Sequence, residues 1–85
     1  MINSPMKTIH LTYYALLREE RGVPKETLET AAVTAQELYG ELKLKYHFRL
    51  STDSLKVSIN DAFTSWKTQI RTGDHVVFIP PISGG

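Results

Sequence analysis

Near its end the chain runs Val76-Val77-Phe78-Ile79 and then meets Pro80-Pro81. A strand sends successive side chains to opposite faces, so this segment is apolar on both. Such a strand is stable only where both faces are covered, which predicts a central, buried position in a sheet. The prolines lack the amide N–H and end strand pairing at that point. The rest of the chain must therefore supply flanking strands and a cover.

The cover is legible at Thr34-Ala35-Gln36-Glu37, which has the S/T-x-x-E form of a capping box. Ala35, Leu38, Leu42 and Tyr46, with Tyr39, recur at spacings of three and four. That periodicity predicts an amphipathic helix with one face for a sheet. Gly40 inside it costs about 1 kcal/mol relative to alanine. The flanking strands follow from alternation. Ile9, Leu11 and Tyr13 point one way in Lys7–Tyr13, and Thr8, His10 and Thr12 the other. Tyr14 to Arg21 is rich in helix formers and ends at Gly22, predicting a short helix with a left-handed cap. Lys25 to Thr30 reads as a polar edge strand around Leu28. His47 to Ser54 reads as a loop. Leu55, Val57 and Ile59 predict a third strand, Asn60-Asp61 a turn, Phe63 to Trp66 a short fourth strand, and Thr72-Gly73-Asp74 a tight turn into the last strand. The order β-α-β-α-β-β-β predicts an α+β domain, one long helix packed on one mixed sheet.

Composition excludes several functions. The chain's 85 residues make one domain with little room for a deep catalytic cavity beside a core. Ten Lys and Arg against nine Asp and Glu give a net charge of +1, unlike a dedicated nucleic-acid binder. The absence of cysteine removes a disulfide scaffold, a thiolate metal site and a cysteine nucleophile, and fits a reducing compartment. Met1-Ile2-Asn3-Ser4-Pro5 has neither a basic nor an apolar leader character, and nothing approaches the roughly 20 apolar residues of a membrane span. The expectation is a cytoplasmic protein with no membrane or nucleic-acid partner.

Few side chains suggest chemistry. His10, His47 and His75 stand alone in sequence, so no metal site is expected, and His10 and His75 read as lining the polar side of strands. Glu19-Glu20 lie beside Arg18 and Arg21 and read as a salt-bridged helix end rather than an acid-base pair. Gly73 matches neither phosphate-binding glycine motif. Lys43, Lys45 and Arg49 read as a solvated face, with a docking patch for an acidic partner as the alternative. Trp66 reads as a core or edge-strand residue rather than an exposed anchor.

The segment Pro80-Pro81-Ile82-Ser83-Gly84-Gly85 stands apart. Residues 1–5 are expected to be a loose lead-in, residues up to 79 the folded domain, and residues 80–85 an extended flexible tail. Its root is fixed by the strongest strand, and two prolines favour an extended exit. Six extended residues reach at most roughly 20 Å. Pro80, Pro81, Ser83 and Gly84 make a slim approach to the Gly85 carboxylate, shaped to enter a narrow pocket on another protein. With a reference pKa of about 3.3–3.7 that carboxyl is an anion at neutral pH and a poor electrophile, so it must be activated, for example as an acyl-adenylate. Glycine leaves the carbonyl unshielded and the backbone free. The chain offers no obvious catalytic group of its own, which suggests a carrier.

Three stretches resemble a known family, the small sulfur-carrier subunits of molybdopterin synthase, which are ubiquitin-like β-grasp proteins. Tyr14-Ala15-Leu16-Leu17-Arg18-Glu19 is close to that family's aromatic-Ala-x-Leu-Arg-Glu, and Val57-Ser58-Ile59-Asn60 to its Val-Asn strand end. Thr72-Gly73-Asp74-His75-Val76-Val77-Phe78-Ile79-Pro80-Pro81-Ile82-Ser83-Gly84-Gly85 is similar to its Asp-Gly-Asp-x-Val ending in Pro-Pro-Val-Ser/Thr-Gly-Gly, with Thr72 for the usual acidic residue and Ile82 for valine. The resemblance implies that a ubiquitin-activator-like enzyme uses ATP to adenylate Gly85, that a sulfur source converts it to a thiocarboxylate, and that the tail enters the large catalytic subunit of a heterotetramer. There sulfur would pass to cyclic pyranopterin monophosphate. No cofactor is expected on this chain, and Ile79 and Ile82 would dock onto partners. The thiamine-pathway sulfur carrier, a ubiquitin-like lysine modifier and a plain β-grasp binding module remain as alternatives.

Overall fold

The computed structural model describes residues 6–81. Its elements are β1 (Lys7–Tyr13), α1 (Ala15–Arg21), β2 (Lys25–Thr30), α2 (Ala35–Tyr46), a single 3-10 turn (Thr52–Ser54), β3 (Lys56–Ile59), β4 (Ala62–Thr64) and β5 (His75–Ile79). The strands form one mixed sheet in the order β2-β1-β5-β3-β4. β5 is central, parallel to β1 on one side and antiparallel to β3 on the other. β2 takes an edge, as its polar alternation predicts.

The core lies between one sheet face and α2. Ile9, Leu11, Tyr13, Val57, Val76 and Phe78 are buried on that face, and Ala35, Leu38, Tyr39 and Leu42 meet them from the helix. Tyr39 crosses Phe78 edge-on, with ring centroids 5.0 Å apart, a favoured geometry for aromatic pairs. α2 forms half of the expected capping box: the Thr34 hydroxyl accepts from the Glu37 amide at 3.2 Å, while the Glu37 carboxylate reaches one residue further back and accepts from the Val33 amide at 2.9 Å. The helix runs unbroken through Gly40 and ends where His47 turns left-handed. α1 ends at Gly22, whose positive φ of 89° lets its amide donate back to the Arg18 carbonyl at 2.9 Å. This is the α+β, ubiquitin-like β-grasp arrangement, with one main helix and a short extra helix after β1.

Some details depart from expectation. The fourth strand ends at Thr64, and Trp66 sits in the following turn, its ring stacked on Phe78 at 5.8 Å. Phe63 is the outward residue of β4. The loop after α2 is not a mere connection, because Phe48 is buried in it, stacked on Tyr39 at 5.9 Å. The arginines around α1 also pair differently. Arg21 bonds Glu26 on β2, and Glu20 accepts the Arg49 amide and faces its guanidinium at 3.4 Å. The α1 end is thus tied to neighbouring segments rather than salt-bridged within itself.

Candidate functional site

The site is built around the point where β5 leaves the sheet. β5 pairs along its whole length, ending with Ile79 opposite Lys56 and Phe78 opposite both Tyr13 and Val57. Its start is held as firmly. The Asn60-Asp61 hairpin has positive φ at both residues, 53° and 70°, the type I′ pattern that Asn and Asp tolerate. The Asn60 side chain accepts from the His75 amide and donates to Asp74, both at 2.9 Å. A strand held at both ends and on both sides gives Pro80-Pro81 a fixed origin.

Apolar grooves flank that origin. On the β3 side, Leu55, Lys56, Phe63 and Ile79 line an open groove of about 610 Å³ against Pro80 and Pro81. On the α1 side, Ala15, Leu16 and Leu50 line a smaller one of about 260 Å³ against the same prolines. Phe63 is 68% exposed and extends the apolar surface of the larger groove. The register puts it opposite Ser58, which is opposite Val77, which is opposite Thr12. That row crosses the sheet face away from α2. The smaller groove is braced from inside: the Tyr39 hydroxyl donates to the Leu50 carbonyl at 2.6 Å. Burial, helped by the charge of Glu20, pushes the Tyr39 phenol up to about 12, so it remains a donor at neutral pH.

Of the residues singled out in the sequence, Pro80, Pro81 and Ile79 come together here, with Ile79 half-buried in the larger groove. Ile82, Ser83, Gly84 and Gly85 lie outside the described residues. Sequence reasoning missed Phe63, Leu55, Leu16 and Leu50. The alternation of β4 could have pointed outward to Phe63, but a three-residue strand offers too short a pattern. His10 and His75 do line the polar sheet face, bonded to the Thr27 and Thr12 hydroxyls at 3.0 and 2.7 Å. Lys43 donates to the Phe48 carbonyl at 2.9 Å and Lys45 lies over the Tyr46 ring, so these basic side chains serve the helix end. Among the described residues no three His, Asp or Glu side chains gather as metal ligands, and no helix is long and apolar enough to cross a membrane.

A mixed five-stranded sheet with one main helix across it, whose central strand runs into Pro80-Pro81 between apolar grooves, defines a small protein of the ubiquitin-like β-grasp class. The ThiS family model matches residues 11–85, and the chain belongs to that family. It is 30% identical to the molybdopterin synthase sulfur carrier subunit of Drosophila melanogaster, over 98% of this chain and 97% of the relative. Two solved structures share its fold. Small archaeal modifier protein 1 from Methanosarcina acetivorans superposes with a TM-score of 0.76 at 21% identity, covering 95% of this chain and 99% of that one. Subunits 1 and 2 of the molybdopterin-converting factor from Helicobacter pylori form a complex whose matching chain gives a TM-score of 0.62 at 20% identity, covering 92% and 99%.

Proposed function

We propose that this chain is the sulfur carrier of a molybdopterin synthase, with Gly85 as the group that carries sulfur. The observation that carries this reading is the continuity of the pinned strand β5 into Pro80-Pro81 between two apolar grooves, in a chain that ends Ser83-Gly84-Gly85. A carrier needs a tip that can be handed between pockets and a body that docks the same way each time. The fold supplies a rigid body, and the glycines supply an unshielded tip.

The Gly85 carboxylate attacks the α-phosphorus of ATP on an adenylating partner, and pyrophosphate leaves. Hydrosulfide from the sulfur donor then attacks the acyl carbon, AMP leaves, and loss of the S–H proton gives the thiocarboxylate. In the large subunit the tail's sulfur passes to cyclic pyranopterin monophosphate and the carboxylate is regenerated with water. Oriented N–H groups or cations on the partners hold the anionic tip. The large-subunit partner is supported by the Helicobacter complex of subunits 1 and 2. This work is expected to take place in the cytoplasm.

The test is intact mass after incubation with a competent activating enzyme, ATP and a sulfur donor. The expected result is replacement of one terminal oxygen by sulfur, and an unchanged mass would overturn the reading. Adding large subunit and precursor should then consume the thiocarboxylate and yield molybdopterin; thiazole formation with thiamine-pathway enzymes would move the chain to that branch of the family. A second reading, a modifier joined to lysines through Gly85, is favoured by the likeness to small archaeal modifier protein 1. It predicts isopeptide-linked conjugates in cells that lose them when Gly85 is removed.

A further inference from the structure

β2 is an edge strand with one side of its backbone unused. Its pairing with β1 runs without a bulge from Lys25 opposite Thr12 to Thr30 opposite Lys7. An antiparallel pair alternates between residues that exchange backbone bonds and residues that do not. The Tyr13 amide donates to the Pro24 carbonyl at 2.8 Å, which fixes the phase: Glu26, Leu28 and Thr30 turn their backbone groups toward β1. The His10 amide agrees, because it donates to the Asp74 carbonyl, on the β5 side, rather than to Thr27. The N–H and C=O groups of Lys25, Thr27 and Glu29 therefore point out from the sheet edge. All three residues are exposed, and no other described segment pairs with that edge. Edges are commonly blunted by shortness, proline, a bulge or charge. β4, at the other edge, has only three residues. β2 has six, with no proline and no bulge, and its outward residues carry one charge of each sign.

Those two charges are placed for one partner. An added antiparallel strand must set outward residues against outward residues. A second copy of β2 centred on Thr27 uses all three: Lys25 faces Glu29 of the second copy, Thr27 faces Thr27, and Glu29 faces Lys25. Slipped by two residues, Lys25 faces Thr27 and Glu29 faces Val23, or Lys25 faces Ala31 and Glu29 faces Thr27. Only the full register matches both charges, and opposite charges and paired threonines are favourable across strands. On the core side Glu26 meets Leu28 of the second copy, and its charge stays engaged with Arg21. We propose that β2 is a self-pairing edge that joins two copies of this chain into one continuous sheet, antiparallel about Thr27, with Lys25–Glu29 pairs setting the register. β1 separates β2 from β5, and the larger groove lies on the β3 side, so that groove stays open in the pair.

One strand pair makes a contact at the small end of specific interfaces, so the dissociation constant should be on the order of 0.1–1 mM. The full chain is followed from about 20 µM to about 2 mM by sedimentation equilibrium and amide spectra. The mean mass should climb toward twice that of the monomer. The amide shifts of Lys25, Thr27 and Glu29 should move with concentration, and those of Glu26, Leu28 and Thr30, already bonded to β1, should move least. Lys25→Glu and Glu29→Lys each set like charges opposite one another at both ends, and each should weaken the dimer roughly tenfold or more. Both positions are exposed, so melting temperatures should stay near wild type. The double variant Lys25→Glu/Glu29→Lys keeps the net charge and should restore the dimer. An equal mixture of the two single variants should pair as well, because opposite charges then meet at both ends. Wild type that stays monomeric throughout would overturn the proposal. So would concentration-dependent shifts centred on Phe63 instead of β2, or a double variant and a mixture that pair no better than the single variants alone.

Discussion

Arg21, the last residue of α1, grips Glu26 on β2 through two hydrogen bonds, from Nε to Oε2 at 3.1 Å and from Nη2 to Oε1 at 2.9 Å. The Tyr13 hydroxyl donates to the same carboxylate from β1, and the Tyr46 hydroxyl reaches it from α2 at 3.4 Å. The Arg21 guanidinium lies 4.1 Å from the Tyr46 ring centroid. Four elements therefore meet at one carboxylate whose side chain is only 14% exposed.

That junction predicts an acid-sensitive stability. Burial by itself would raise the Glu26 carboxyl, but the bonds from Arg21 and Tyr13 outweigh it and hold the group below its ordinary value. A carboxyl depressed in the folded state contributes stability that is complete above its unfolded pKa of about 4.3 and is lost as pH falls through the folded value. Glu26→Gln should cost roughly 1–3 kcal/mol near neutral pH, because it strips the charge from a half-buried guanidinium's partner. Wild type should then lose more melting temperature than Glu26→Gln between about pH 5 and about pH 3. Parallel slopes for the two proteins would show that Glu26 is not the titrating group.

The Asn60 side chain makes a second, separable prediction. It combines a left-handed backbone at φ 53° with two side-chain bonds to the start of β5. Asn60→Gly keeps the backbone and loses the bonds, and should cost about 1 kcal/mol. Asn60→Ala loses both and should cost roughly 2–3 kcal/mol. Denaturant midpoints of the pair measure the difference, and equal losses would mean that the turn geometry carries no weight.

How much of this was legible in the sequence differs by element. The doubly apolar Val76–Ile79 run, the Thr34–Glu37 box and the period-two pattern of β1 each state their environment locally, and the fold follows from them. Phe48 does not: it is one aromatic in a polar stretch, and its burial depends on Tyr39 lying across from it. The Arg21–Glu26 bond spans a turn whose path no short-range pattern dictates. The grooves at the tail root draw on the loop after α2, the start of α1 and the three strands β3, β4 and β5, so they exist only after assembly. The reading of Gly84-Gly85 rests on the sequence alone, since both lie outside the described residues.

The exposed ring of Phe63 predicts a binding contact that stability does not reveal. Phe63→Ser should leave the melting temperature nearly unchanged, because the ring is 68% exposed and outside the core. An aromatic that fills a partner's pocket is worth about 1–3 kcal/mol or more on truncation, so affinity for the large subunit should fall roughly tenfold or further. Ile79→Ser removes apolar surface from the same groove, but Ile79 is half-buried and some stability should go with it. Calorimetric titration of each variant with the large subunit tests the contact. Unchanged affinity in Phe63→Ser would remove this groove from the docking surface.

The terminal residue separates chemistry from folding most sharply. Removing Gly85, or adding one alanine after it, moves the carboxyl by one residue along an extended chain, about 3.3–3.6 Å. A partner that adenylates the tip must hold that carboxylate in line with the α-phosphorus, and a displacement of this size takes it out of reach. Nothing in the core depends on it, because β5 completes its pairing at Ile79. Both variants should therefore melt within about one degree of wild type while losing the oxygen-to-sulfur exchange entirely. Intact mass and thermal melting on the same samples check the two halves together. Thiocarboxylate formed at full rate on the extended chain would show that the sulfur is carried somewhere other than Gly85.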